Sequence, residues 1–415
     1  MALLAGVMRG TRAQEVYEIY AYSLPQPFDL VRQHTEILVA GGMILYIILR
    51  LSDLGRALRV ALECLPCALL LLLQVLDSVK VLAINGSVAN FVPNIAVTVV
   101  MFTVYAALVP LGENRDKLIL YLISATALIV LGGSLYCYLV APNTVYFNGR
   151  FMGIAYHPVM FGQLMAVGVG AFFHLSRIAG QPAARWVSLA LAIAFAVMIV
   201  ISGTRTGAGL VVVFFAIYSL KSRRGRMQMI LIGLAASLAG GALAMDLHGL
   251  GAMSDLRVIS TEDTRGRVTR EFISAIVDNP LIGVWSVETP TSNSILLCGA
   301  RLGVGGLIVA LIVYGLSWRM TIRLLRSPHV LPGSNRWFVV TTFAVFLVLV
   351  PFDGMWLQKA NAFTGMFYAL AASVYSMNLQ VFMPPMAGMR RGPAPHGRQL
   401  VRRPDMKPGL NRNRL

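Results

Sequence analysis

From Leu118 to Val140 no side chain carries a charge, and apolar runs of this kind recur along most of the chain. About 20 apolar residues are needed for a helix to cross the ~30 Å hydrocarbon core of a bilayer. In that solvent every backbone N–H and C=O has to be paired within the protein. The runs therefore dictate helices and leave little room for anything else. Their lengths and periodicity predict spans at 34–51, 58–76, 91–111, 118–140, 158–175, 185–202, 207–220, 228–246, 294–317, 337–352 and 360–381. Composition enters here because charged residues make up 13% of the chain and mean hydropathy is +0.70, whereas a soluble domain needs about 25% charge to solvate its surface. The expectation is an all-α polytopic integral membrane protein of about 11–12 transmembrane helices. It forms a single transmembrane domain over 1–385, with no appended soluble domain.

Charge says less about fold than about orientation. The formal net charge is +17, but Arg390, Arg391, Arg398, Arg402, Arg403, Lys407, Arg412 and Arg414 all lie beyond the last span, in a Pro-, Gly- and Arg-rich tail at 386–415. That composition predicts disorder and an anchor on anionic cytoplasmic lipid, not a nucleic-acid surface. Further basic clusters at Arg56–Arg59, Arg115–Lys117, Arg177–Arg185, Lys221–Arg226 and Arg319–Arg336 alternate consistently if all are cytoplasmic. The opposite face then receives the loops at 77–90, 141–157, 203–206, 247–293 and 353–359. Residues 1–33 contain a mildly amphipathic aromatic patch at Val16–Tyr22 and no cleavable signal pattern. Cys64, Cys67, Cys137 and Cys298 sit in or beside apolar runs without metal-site spacing, which reads as buried thiols.

One polar interlude breaks the pattern, from Thr261 to Gly306. Val268, Phe272, Ile273, Ile276 and Val277 recur at helical spacing, with Thr264 or Ser260 as cap, Glu262 and Asp263 at the positive helix end, and Asp278-Asn279-Pro280 as the stop. The spacing predicts a short amphipathic helix led in by Arg265 and Arg267. Arg150, Arg205, Arg257, Arg265, Arg267 and Arg270 all fall on the face that the positive-inside rule leaves poor in charge. An anionic ligand at the membrane surface supplies the missing reason.

Two more elements share that face. Gly149 to Gly162 is a loop entering a helix, with Pro158 suited to the first helical position and His157 before it as a base, a phosphate donor or a cap. Ser202-Gly-Thr-Arg-Thr-Gly207 interrupts an apolar stretch at membrane depth. Arg205 there carries an insertion cost of ~2.5–3.5 kcal/mol unless it snorkels or faces a polar cavity or an anionic partner.

Taken in order, these elements resemble the O-antigen ligase and polysaccharide polymerase superfamily of bacterial membrane glycosyltransferases. The matching residues are Arg150, Gly153, His157 and Pro158; Ser202, Thr204 and Arg205; and Arg265, Asp278, Pro280 and Gly283, with Gly303 and Gly306 beyond. They cover roughly residues 145 to 320. Two positions depart from the pattern: Ser292, before Asn293, stands where the family has histidine, and the family's Gly-x-Gly after Pro280 is reduced to Gly283-Val-Trp-Ser286.

The resemblance implies transfer of a saccharide from an undecaprenyl-pyrophosphate carrier to a sugar hydroxyl on an acceptor glycan or lipid, at the periplasmic face of the bacterial inner membrane. It implies no cofactor and no metal. Fixed guanidiniums suit the charge that grows on a departing pyrophosphate. Arg205 and Arg265 are the expected primary contacts, with Arg150, Arg267 and Arg270 in support and Ser292 and Asn293 lining the acceptor path. His157, His248, Glu262, Asp263 and Glu288 are candidate bases, or positioning alone suffices. The missing histidine favours a polymerase of O-antigen or exopolysaccharide over a ligase acting on lipid A core. A transporter or flippase for lipid-linked glycan would show two related halves with interrupted spans, and none are evident.

Overall fold

The computed structural model describes residues 25, 28, 35–85, 88–111, 114–147, 150–155, 157–221, 264–284, 293–352, 356–357 and 362–382. Among these, six helices are long and apolar enough to cross a membrane, and Asn94–Leu108 and Arg205–Ser219 are shorter apolar helices. The chain is thus an all-α, multi-pass membrane protein. The expected span at 228–246, the tail at 386–415 and most of the 247–293 segment lie outside the described residues.

The helices run in chain order as α1 (Thr35–Leu49), α2 (Leu51–Glu63), α3 (Leu65–Asn85) and α4 (Val88–Met101), which continues as a π-helical stretch, Phe102–Leu108, and a 3-10 turn, Val109–Leu111. Then follow α5 (Arg115–Val140), α6 (Pro158–Ile178), α7 (Pro182–Ile201) and α8 (Arg205–Ser219). Last come α9 (Thr264–Asp278), α10 (Ser294–Arg326), α11 (Asn335–Leu349) and α12 (Ala362–Phe382). Between α5 and α6 the strands β1 (Tyr146–Phe147) and β2 (Arg150–Phe151) form a two-residue antiparallel pairing.

The first half of the chain corrects the sequence reading at one point. In place of a span at 58–76 followed by a loop at 77–90, the strongly amphipathic α2 ends at Glu63 and a new helix, α3, runs from Leu65 to Asn85. The reason is local. In a continued helix Pro66 would have no N–H to give the Leu62 carbonyl and its ring would clash with that carbonyl, and the chain breaks at Cys64 (ψ 84°). Burying only Ala57 and Ala61, α2 keeps Arg56 and Arg59 off the core. The consequence is that Gln74, Asp77 and Ser78, expected at or beyond a span's end, are buried inside the bundle.

Hydrogen bonds fix which helix ends lie together. At one end Arg115 donates to Ser376 Oγ (2.8 Å) and to Gln380 Oε1 (3.2 Å), and Arg336 lies 3.7 Å from Asp116. His174 bonds Tyr218 OH (2.9 Å) and Asn335 (3.1 Å), and Lys221 donates to the carbonyls of Ser327 (2.6 Å) and Val330 (3.0 Å). These contacts gather the starts of α5 and α11 with the ends of α6, α8, α10 and α12. We call it the basic end. The opposite end therefore collects the starts of α6, α8, α10 and α12 with the ends of α3, α5, α7 and α11. Between the two ends lies an aromatic core in which Trp337, Phe338, Phe343, Phe346, Phe363, Phe367 and Tyr368 are almost fully buried.

Candidate functional site

Two clusters occupy the end opposite the basic one. In the first, the chain leaves β2, caps α6 and meets the tight turn between α7 and α8. Pro158 takes the first helical position of α6, and His157 is its N-cap, with Nδ1 accepting from the Val159 N–H at 3.2 Å. Gly162 and Gly207 let α6 and α8 close on one another: a Cβ at Gly207 would stand 2.7 Å from the Gly162 carbonyl oxygen. Thr204 seals the crossing by donating to the Pro158 carbonyl at 3.0 Å, and its hydroxyl lies 2.8 Å from that of Ser202.

Arg150 reaches across this junction. Its guanidinium donates to the carbonyls of Ser202 (3.2 Å) and Gly203 (3.1 Å) and approaches Thr204 Oγ1 at 3.4 Å. A cation at a helix C-terminus satisfies carbonyls that lack an intrahelical partner and complements the negative dipole end of α7. Arg150 is thereby spent on holding the turn. Arg205, at the opposite dipole end of the next helix, is exposed. Burial, and then the nearby Arg150 charge, lower the His157 pKa to about 4. The ring is neutral near pH 7, and with Nδ1 accepting from backbone its proton sits on Nε2, which makes it a hydrogen-bond donor and a weak base.

The second cluster centres on α9 and the break in α10. The helix expected from Val268, Phe272 and Ile276 is present, with those three buried, while Ile273 and Val277 point outward. Arg265, Arg267 and Arg270 lie along α9, and Arg270 Nε donates to the Gly266 carbonyl at 3.3 Å. After α9 the chain turns at Pro280–Val284 and docks its backbone into α10, which is interrupted at Gly303 (φ 73°, ψ −168°). Val284 N–H donates to Ala300 O (2.7 Å), and Val304 N–H donates to Pro280 O (2.8 Å). Gly283 (φ 66°) and Gly303 face each other's strand of backbone so closely that a Cβ on either would come within 2.5 Å of a carbonyl oxygen. Only glycine fits both the dihedral angles and the space. Asn293, itself at positive φ (58°), caps α10 by accepting from the N–H groups of Ile295 and Leu296, both at 3.1 Å. Ser292 lies outside the described residues.

A charged group not anticipated from the sequence sits beneath this docking. Asp77 of α3, 1% exposed, pairs with Arg301 of α10 at 2.9 Å. One turn on, Lys80 Nζ donates to the carbonyls of Ile282 (2.5 Å), Val284 (2.9 Å) and Arg301 (2.5 Å). Nearby, Gln74 donates to the Trp356 carbonyl (2.7 Å) and accepts from Tyr368 OH (2.9 Å), while Trp356 N–H donates to Ser294 Oγ at 3.4 Å. The signal for this group was present: Gln74, Asp77 and Ser78 stand at helical i, i+3, i+4 spacing within an apolar stretch, the mark of a polar stripe facing protein.

Arg150, His157 and Arg205 thus lie at one junction, while Arg265, Arg267 and Arg270 are positions along α9, which packs on the helix α10 that Asn293 caps. Among the described residues no three His, Cys, Asp or Glu side chains gather as a metal site. No protein-family model and no curated protein matches the chain.

Proposed function

We propose that this chain is a membrane glycosyltransferase that moves a saccharide from an undecaprenyl-pyrophosphate carrier to a sugar hydroxyl, most simply a polymerase of O-antigen or exopolysaccharide repeats. The observation that supports the reading is that the Arg150–α7/α8 junction and the α9–α10 joint, two separate clusters, both lie at the end of the bundle away from the basic one. The motifs of the superfamily named above occur in these same segments. If the basic end faces the cytoplasm, the motif end faces the periplasm of the inner membrane, where lipid-linked glycans are presented.

In this reading Arg205 and Arg265 take the pyrophosphate, assisted by Arg267 and Arg270. A guanidinium fork matches phosphate oxygens bidentately and stabilises charge as it develops on the leaving group. Arg150 supports the site from behind, by fixing the turn that carries Arg205. His157, neutral near pH 7, serves in this reading as a positioning group and not as a strong base, so proton removal from the acceptor falls to another group or to solvent as the sugar–phosphate bond opens. Ser292 and Asn293 line the acceptor path.

The test is replacement of each arginine in cells whose surface glycan is resolved by gel. Arg205→Ala and Arg265→Ala should each reduce transfer at least ~100-fold with normal protein levels, and lysine should restore only part of it. A deletion strain left with single repeat units attached to the acceptor identifies a polymerase, whereas unattached lipid-linked chains identify a ligase. Wild-type banding from both alanine variants would remove the pyrophosphate assignment.

A further inference from the structure

Lys80 and Arg301 pose a problem that neither orientation nor packing explains. Both lie at the end of the bundle away from the basic clusters, and the positive-inside rule gives a cation no reason to be there. Both are in helices with the length and composition of membrane spans, where a charge is costly unless it faces protein or water. Each is nevertheless committed to specific partners.

The partners share one property: they belong to the joint between α9 and α10. At Gly303 the helix ladder stops, so the carbonyls just before it lack their donors four residues on. The turn Pro280–Val284 supplies one donor, Val284 N–H to Ala300 O. Lys80 supplies the donor to Arg301 O and in the same stroke binds Ile282 and Val284 O from the other side of the joint. All three ammonium protons are used, and they tie two chain segments, the Pro280–Val284 turn and α10, to α3. Asp77 holds Arg301, the residue whose carbonyl Lys80 takes, through its side chain. Loss of Lys80 removes one donor shared by three exposed or part-buried carbonyls, and loss of Arg301 strips the buried Asp77 of this ion pair.

We propose that Lys80, braced by the Asp77–Arg301 pair, is the latch that fixes α9 to the membrane bundle, and that it thereby acts as a positioning residue for the arginines along α9. Its bearing on catalysis rests on the transfer function proposed above. Its mechanical part does not. The latch explains why a polar helix outside the apolar spans is registered against α10 to within a hydrogen bond at its C-terminal end. It also explains why α10 is broken: a continuous helix would have no unpaired carbonyl for Lys80 to take and no opening for Val284.

Distance measurement between two spin labels tests this in the full-length protein, with labels at Arg270→Cys on α9 and Leu139→Cys at the exposed end of α5. The native latch should give one narrow distance distribution. Lys80→Met should at least double its width, and Lys80→Arg, which keeps the charge and its donors, should recover most of the narrowing. If Lys80→Met does not accumulate in membranes, Lys80→Gln is read the same way, since it keeps donors but loses the charge. An unchanged distribution in the neutral variant would overturn the latch. Glycan transfer in the unlabelled Lys80 variants separates the two parts of the proposal. Broadening with a tenfold or greater loss of transfer supports both. Broadening with wild-type transfer overturns the positioning role, while Arg205→Ala reports independently on whether transfer occurs at this end at all.

Discussion

The two ends of the bundle use their arginines differently. At the basic end Arg336 is about half exposed and meets the mostly buried Asp116 at 3.7 Å, a loose pairing whose exposed partner contributes little. At the other end Arg150 and Lys80 bind backbone carbonyls in a tight turn and in a broken helix. The basic end also clasps a loop, through Lys221 on the Ser327 and Val330 carbonyls. What sets the other end apart is that its cations hold a tight turn and a break inside a span, and irregular backbone at membrane depth is tolerated only where protein or water lines it.

That contrast breaks most visibly at the glycines of the α9–α10 joint. Gly303→Ala should destabilise the protein by at least ~4 kcal/mol, the sum of a dihedral region nearly closed to other residues and of overpacking against Pro280 and Leu281. Thermal unfolding in detergent measures it. Gly315→Ala, in the same helix with open space around it, should be neutral or slightly stabilising. Comparable losses at both would mean that the joint is not special.

The arginines sharpen the comparison at an intermediate scale. Arg150→Ala removes charge-assisted bonds from carbonyls of the α7–α8 turn and should cost about 2–3 kcal/mol. Arg336→Ala should cost less than ~1 kcal/mol. The same unfolding assay ranks them, and a reversed order would show that the basic end is the structural one.

A pH dependence is expected as well, felt only in acid. The folded-state pKa of His157, about 4, lies below its ordinary 6.5, so the unfolded chain takes up a proton first. The stability this group contributes is intact above pH 6.5 and is lost as pH falls from 6.5 through about 4. His157→Gln, whose side-chain oxygen can keep the cap, should flatten the fall in melting temperature over that window. An identical pH profile would show that His157 is not held neutral.

Much of this was readable in one dimension, and the exceptions share a cause. The cap and start of α6 follow from His157 and Pro158 because capping chemistry is local. The face of α9 follows from Val268, Phe272 and Ile276 because a helix repeats every 3.6 residues. The amphipathic α2 and the long α3 were misjoined because Ala57, Leu58 and Ala61 extend the apolar run backwards across Pro66. Lys80 read as a loop residue because its partners, Ile282 and Arg301, are more than 200 positions away in the chain. A polar residue looks like a boundary until the groups that satisfy it are in view.

The length of α8 has a consequence for the lipid. Its 15 residues rise about 22 Å, against a hydrocarbon thickness of ~30 Å. Its outward stripe, Ala208, Val212, Ala216 and Leu220, is exposed along the whole helix. A bilayer meeting a helix this short thins around it or draws headgroups inward, and Arg205 stands at the edge of that depression. Under the transfer function proposed above, a lipid-linked pyrophosphate would then have less far to rise out of the leaflet to reach Arg205, and turnover would depend on local membrane thickness.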